Sequence, residues 1–167
     1  RRVGVGPFVT LVFENRDTVR FQIQEMARVE KIITDEGIQM ELDVYNPLIP
    51  GPGQISATLF VELVDNDRLV EWLPKLVGIE TEVELRLGPS GGRRLRCRVD
   101  EAHLRQLTRE ETTASVHYVH FDLDDDEVEA FADGPVILAV THPNYAHDLE
   151  LSEDTRSELL ADLRSGT

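Results

Sequence analysis

The chain has 167 residues, with 17 Lys and Arg against 32 Asp and Glu, a formal net charge of -15 and a pI near 4.6. This charge disfavours general binding to nucleic-acid phosphates or anionic membranes. No apolar run reaches the ~20 residues of a membrane-spanning helix, and the single cysteine, Cys97, excludes an intramolecular disulfide framework and any multi-cysteine metal site.

The length suits one domain with a real core. There is no initiator methionine and no signal-peptide pattern. The abrupt Arg1-Arg2 start suggests that a further N-terminal segment precedes this sequence. Charge is unevenly spread: residues 93–109 carry six basic and two acidic side chains, whereas residues 110–167 carry two and fifteen.

Val9, Leu11 and Phe13 alternate in a strand that ends at Glu14. Asn15 or Asp17 caps a helix running to about Ile33, with Val19, Ile23, Met26, Ala27, Val29 and Ile33 on one face. Glu30 falls near the centre of that face and Gln22 near the same arc, which predicts a buried carboxylate needing a partner, a proton or a metal. Thr34, Asp35 and Gly37 interrupt the helix, and residues 38–45 fit a short helix or a strand equally well. After the Pro50–Gly53 loop, Ile55, Ala57, Leu59, Val61 and Leu63 line one face of a strand, with Ser56, Thr58 and Glu62 on the other. Asp65 or Asn66 caps a helix to Leu76, which Pro74 disturbs and Gly78 ends.

The clearest local signal follows. Val83, Leu85 and Leu87 alternate with charges, as do Leu95, Cys97 and Val99 beyond a glycine-rich turn, and this predicts an antiparallel hairpin. Pairing Glu84 with Arg96 would also pair Glu82 with Arg98, so the arginines read as sheet partners. A short helix at 101–108, a strand at 115–123, a helix at 125–132, a strand at 136–141 and a helix from Ser152 to about Arg164 complete the chain. The pattern predicts an α+β fold, mainly an antiparallel sheet with helices packed against it.

Most chemical motifs fail on geometry. His117 and His120 lie three apart on a strand and point to opposite faces, so one metal does not join them. Asp122, Asp124 and Asp126 match the start of a calcium loop, but Glu127 stands where the turn needs glycine. Cys97 reads as a small core residue. His142, in the His142-Pro143-Asn144-Tyr145 stretch after the last predicted strand, is either a ligand or base or a histidine bonded to backbone.

The stretch Phe13-Glu14-Asn15-Arg16-Asp17-Thr18, then Gln22-Ile23-Gln24-Glu25-Met26 with Arg28 and Glu30, is distinctive. With Tyr45-Asn46-Pro47, Ala57–Glu62 and His142–Tyr145, it resembles the bacterial family named domain of unknown function 3501, over essentially the whole chain. The resemblance implies no established reaction. It implies genomic company with rubrerythrin-like proteins and Fe–S oxidoreductases, and hence a cytoplasmic accessory role in electron transfer or peroxide defence with a redox protein as partner. Matching positions Glu14, Asn15, Glu25, Arg28, Glu30, Tyr45, Asn46, His142 and Tyr145 are the candidate site residues. No cofactor motif is evident. A second expectation is a divalent-metal-binding protein or metal-dependent enzyme, with Glu14, Glu25, Glu30 and His142 as ligands. A third is a small-molecule pocket around Tyr45, Trp72 and Tyr145.

Overall fold

The computed structural model describes residues 1–89, 92–99 and 114–165. The helix expected at 101–108 lies outside them, as does part of the glycine-rich turn.

The fold is α+β, and the described residues form two four-stranded antiparallel sheets. Strands β1 (Arg2–Val5), β2 (Val9–Phe13), β3 (Gln54–Val61) and β6 (Val116–Asp122) form the first, in the order β1-β2-β3-β6. Strands β4 (Val83–Leu87), β5 (Arg93–Arg96), β7 (Val136–His142) and β8 (Tyr145–Glu150) form the second, in the order β5-β4-β7-β8. Alternation explains why they bury a common core. Leu11, Phe13, Leu59 and Phe121 of the first sheet share one cluster with Leu85, Leu138 and Val140 of the second. Phe131 of helix α4 (Asp125–Asp133) and Leu159 of helix α5 (Glu153–Ser165) join it.

Backbone contacts tie the two sheets at one flank. Arg98, beyond the end of β5, bridges His120 of β6 through N–O contacts of 2.7 and 2.9 Å. Elsewhere the Tyr145 hydroxyl donates to Val5 O and accepts the Phe8 and Val9 N–H groups, at 3.1 Å each, so a β8 side chain closes the β1–β2 turn. Only glycine fits at position 6 of that turn. Its φ is 76°, and a Cβ there would lie 2.5 Å from the Tyr145 hydroxyl. At the other end of the chain, Arg1 grips buried Asp162 of α5 at 2.8 and 3.0 Å.

A helical hairpin covers part of the outer face of the first sheet. Helix α1 (Arg16–Val29) starts with a capping box, in which the Asn15 side chain accepts the Thr18 N–H and Thr18 Oγ1 accepts the Asn15 N–H. Thr34 caps helix α2 (Asp35–Tyr45), accepting the Gly37 N–H at 3.1 Å. The residues expected to break α1 instead start α2, which settles 38–45 as helix. Val19, Ile23 and Leu48 form a small second cluster, backed by Leu42, Tyr45, Ile49 and Tyr118.

The predicted elements are otherwise recovered with corrections. Helix α1 ends four residues earlier than expected. The expected 66–76 helix divides into α3 (Asn66–Trp72) and a 3-10 turn over Leu73–Leu76, with Pro74 setting the break. Strands β1 and β8 carry weak patterns and are additions. Glu84 does face Arg96 across β4–β5, but Arg98 does not face Glu82. Arg96 reaches Glu82 at 2.7 Å, Glu84 takes Arg86 at 2.9 Å, and Arg98 pairs with Asp122 of β6 at 2.8 Å. The cause is that β5 stops at Arg96, so Arg98 serves the junction between the sheets.

Candidate functional site

The candidate residues separate into three groups. The first surrounds the start of α1. Strand alternation carries Glu14 onto the outer face of the first sheet, where Glu14 N–H still continues the ladder to Ser56 O at 2.9 Å. On that same face the β3–β6 register sets Thr58 opposite Tyr118 and Phe60 opposite Val116. With Val19 and Gln22 of α1, Tyr45 at the end of α2, and Leu48, these residues line a cavity of about 350 Å³. Glu14 accepts the Thr58 hydroxyl at 2.9 Å through one oxygen and the Thr18 hydroxyl through the other. Burial pushes the Tyr118 phenol above its ordinary value, reinforced by Tyr45 and the Glu14 carboxylate. Asn15 stands beside the cavity as the α1 cap. Asn46 lines a neighbouring groove of about 460 Å³ between α1 and α2, with Arg16, Val19 and Ile49.

The second group lies on the exposed surface of α1. Glu25 and Arg28 form a forked ion pair at 2.8 and 3.2 Å, and this partnership lowers the Glu25 carboxyl from its ordinary range. Glu30 is exposed and is the C-cap of α1, which corrects the expectation of a buried carboxylate. Gln22 is exposed as well. The apolar arc that predicted burial is only half used, because α1 packs on the sheet through Val19 and Ile23 while Val29 and Ile33 run past its support.

The third group belongs to the second sheet. His142 and Tyr145 flank the tight β7–β8 turn. The His142 Nε2–H donates to Val77 O at 2.9 Å and Nδ1 accepts the Asn144 N–H at 3.1 Å, so both ring nitrogens bond backbone. Tyr145 is committed to the β1–β2 turn. Trp72 packs against Phe8 in a tilted arrangement at 4.9 Å, as does Phe8 against Tyr145 at 4.7 Å, so the expected trio of aromatics is split, with Tyr45 at the other cavity. Glu14, Glu25, Glu30 and His142 are not assembled as a ligand set. Among the described residues no group of three or more His, Cys, Asp or Glu is placed to hold a metal ion.

Thr58, Phe60 and Tyr118 were absent from the sequence-derived site. Their signal was the outward position of Thr58 in its strand, but their convergence needs the β3–β6 register. A buried pair was missed too. Glu80, in a 3-10 turn over Ile79–Thr81, places Oε2 3.8 Å from His117 Nδ1, and both side chains are buried. His117 Nε2 bonds Ala114 O at 2.8 Å. Burial pushes the imidazole down, and Glu80 acts against that shift. Cys97 lies nearby with its Sγ–H on Glu80 O at 3.0 Å, and burial pushes its thiol up to about 11.

The chain belongs to the family described as "Protein of unknown function (DUF3501)", which matches residues 1–163. It is similar to the crystal structure of a novel protein of unknown function from Burkholderia pseudomallei K96243, with 35% identity and a TM-score of 0.86 over 98% of this chain and 83% of that one. The comparison with curated proteins gives no match.

Proposed function

We propose that this protein is a cytoplasmic accessory module that docks a redox partner through the outward face of the α1–α2 hairpin. The observation that carries the reading is where exposed apolar surface is concentrated. Of the seven large hydrophobic side chains left exposed among the described residues, Phe21, Val29, Ile33, Met40 and Val44 all belong to this hairpin and its connection. Ile33 is 92% exposed and Met40 69%. Such surface on a folded protein marks an interaction site.

The chemistry of the partner follows from what flanks those residues. Helix α2 carries Asp35, Glu36, Glu41 and Asp43 and no basic residue, and over residues 16–45 seven acidic side chains outnumber the four basic ones, Arg16, Arg20, Arg28 and Lys31. A partner face with an apolar centre and a basic rim fits it, and such association weakens with added salt. Cys97 is poorly suited to thiol exchange, since its thiol is held protonated. Electron carriers would then belong to the partner, for which a rubrerythrin-like protein or an Fe–S oxidoreductase from the same organism is the expectation.

The test is biolayer interferometry between the purified chain and each of those two proteins at increasing ionic strength. Saturable, salt-weakened binding to one of them, lost in the Phe21→Glu/Met40→Glu double variant, is the expected result. No binding to either, binding indifferent to the double variant, or burial of the same face in a dimer of this chain would overturn the proposal.

A further inference from the structure

We infer that the cavity walled by Glu14, Tyr45, Phe60 and Tyr118 is a binding site for a small organic cation, an alkylammonium or alkylguanidinium group. The inference is independent of partner docking.

Three features converge. The first is the state of Glu14. Its oxygens accept the Thr18 and Thr58 hydroxyls, one each, which fixes the carboxylate in place and leaves each oxygen with further acceptor capacity. Among the described residues no Lys, Arg or His lies within ion-pair distance of it. Arg1 interacts electrostatically with Glu14, but its guanidinium is engaged by Asp162 and Glu158. The second is the wall. Tyr45, Phe60 and Tyr118 line the cavity together with this acidic group, and an aromatic wall beside a carboxylate suits a desolvated cation. The third is size and polarity. A volume of about 350 Å³ suits one small molecule, and Val19, Leu48 and Val116 supply apolar surface for an alkyl chain. An anion would instead meet Glu14 and the field of a chain with net charge -15.

The experiment uses n-butylammonium and n-butylguanidinium as probes in NMR and calorimetric titrations, with n-butanol and butyrate as neutral and anionic controls. The expected result is saturable binding of at least one cation and of neither control. Glu14→Gln should weaken it about tenfold or more, as expected for a lost charge-assisted hydrogen bond. Tyr45→Ala should also weaken it and tests the wall without touching the Thr18–Glu14–Thr58 network. Glu129→Gln, a surface acid outside the cavity, should leave it unchanged. Butanol binding as well as butylammonium, affinity retained in Glu14→Gln, an equal loss in Glu129→Gln, or no saturable binding of either cation would each overturn the inference.

Discussion

Removing one oxygen atom tests how the sheets are held at the β1–β2 turn. The Tyr145→Phe substitution deletes the hydroxyl that donates to Val5 O and accepts the Phe8 and Val9 N–H groups. It keeps the ring that packs on Phe8 at 4.7 Å and on His147 at 4.6 Å. Val5 and Val9 also face each other in the β1–β2 register, so part of their hydrogen bonding survives. Phe8 has no such strand partner. With a net value of about 0.5–1.5 kcal/mol per bond and a penalty for leaving buried groups unpaired, the loss should be about 2–4 kcal/mol. For a domain of this size that lowers Tm by roughly 5–15 °C. Urea titration followed by the fluorescence of Trp72, whose ring lies 4.9 Å from Phe8, reads the change beside the site. An unchanged m-value with a lower midpoint is expected. A Tyr145→Phe stability within about 0.5 kcal/mol of the parent would show that the clasp adds nothing and refute the reasoning.

Two further predictions concern buried titratable groups. His117 is held neutral by burial, with its folded pKa below the ordinary 6.5, so the unfolded chain binds the proton first. Stability should therefore rise with pH up to about 6.5 and fall as pH drops below it, and His117→Asn should flatten that slope in denaturation curves; identical slopes would contradict the assignment. For Cys97, a thiol at about 11 against an ordinary 9.0 implies a thiolate fraction about a hundredfold lower in the folded protein. Alkylation by iodoacetamide at constant pH should be slower than in the urea-unfolded chain by at least that factor, and comparable rates would refute it.

The β4–β5 hairpin was legible because a period of two ran cleanly through Val83–Leu87 and Leu95–Val99, and the Glu84–Arg96 pairing followed from it. The helix beginning at Asp125 was legible, and its cap is Asp124, completed by Glu127. Strand β8 was not, because Tyr-Ala-His-Asp-Leu-Glu is an edge strand with little apolar alternation, held by pairing with β7. Glu30 misled because periodicity says which residues share a face of a helix and says nothing of how far the supporting sheet extends beneath it. The cavity illustrates the same limit. Glu14 and Tyr45 carried a local signal, but Thr58 and Tyr118 reach them through strand pairing between distant segments, which local sequence does not encode.

The separation of the Val19–Ile23–Leu48 cluster from the main core has a dynamic consequence. The hairpin rests on a few apolar contacts, whereas the two sheets share one continuous interior. Its amides should open and exchange with solvent at a free-energy cost well below that of unfolding the sheets, as a cooperative unit of its own. A ligand in the cavity beneath it, or a protein on its outer face, would bind only the closed form. Either one would then slow hydrogen exchange in residues 16–45 while leaving the strands unaffected.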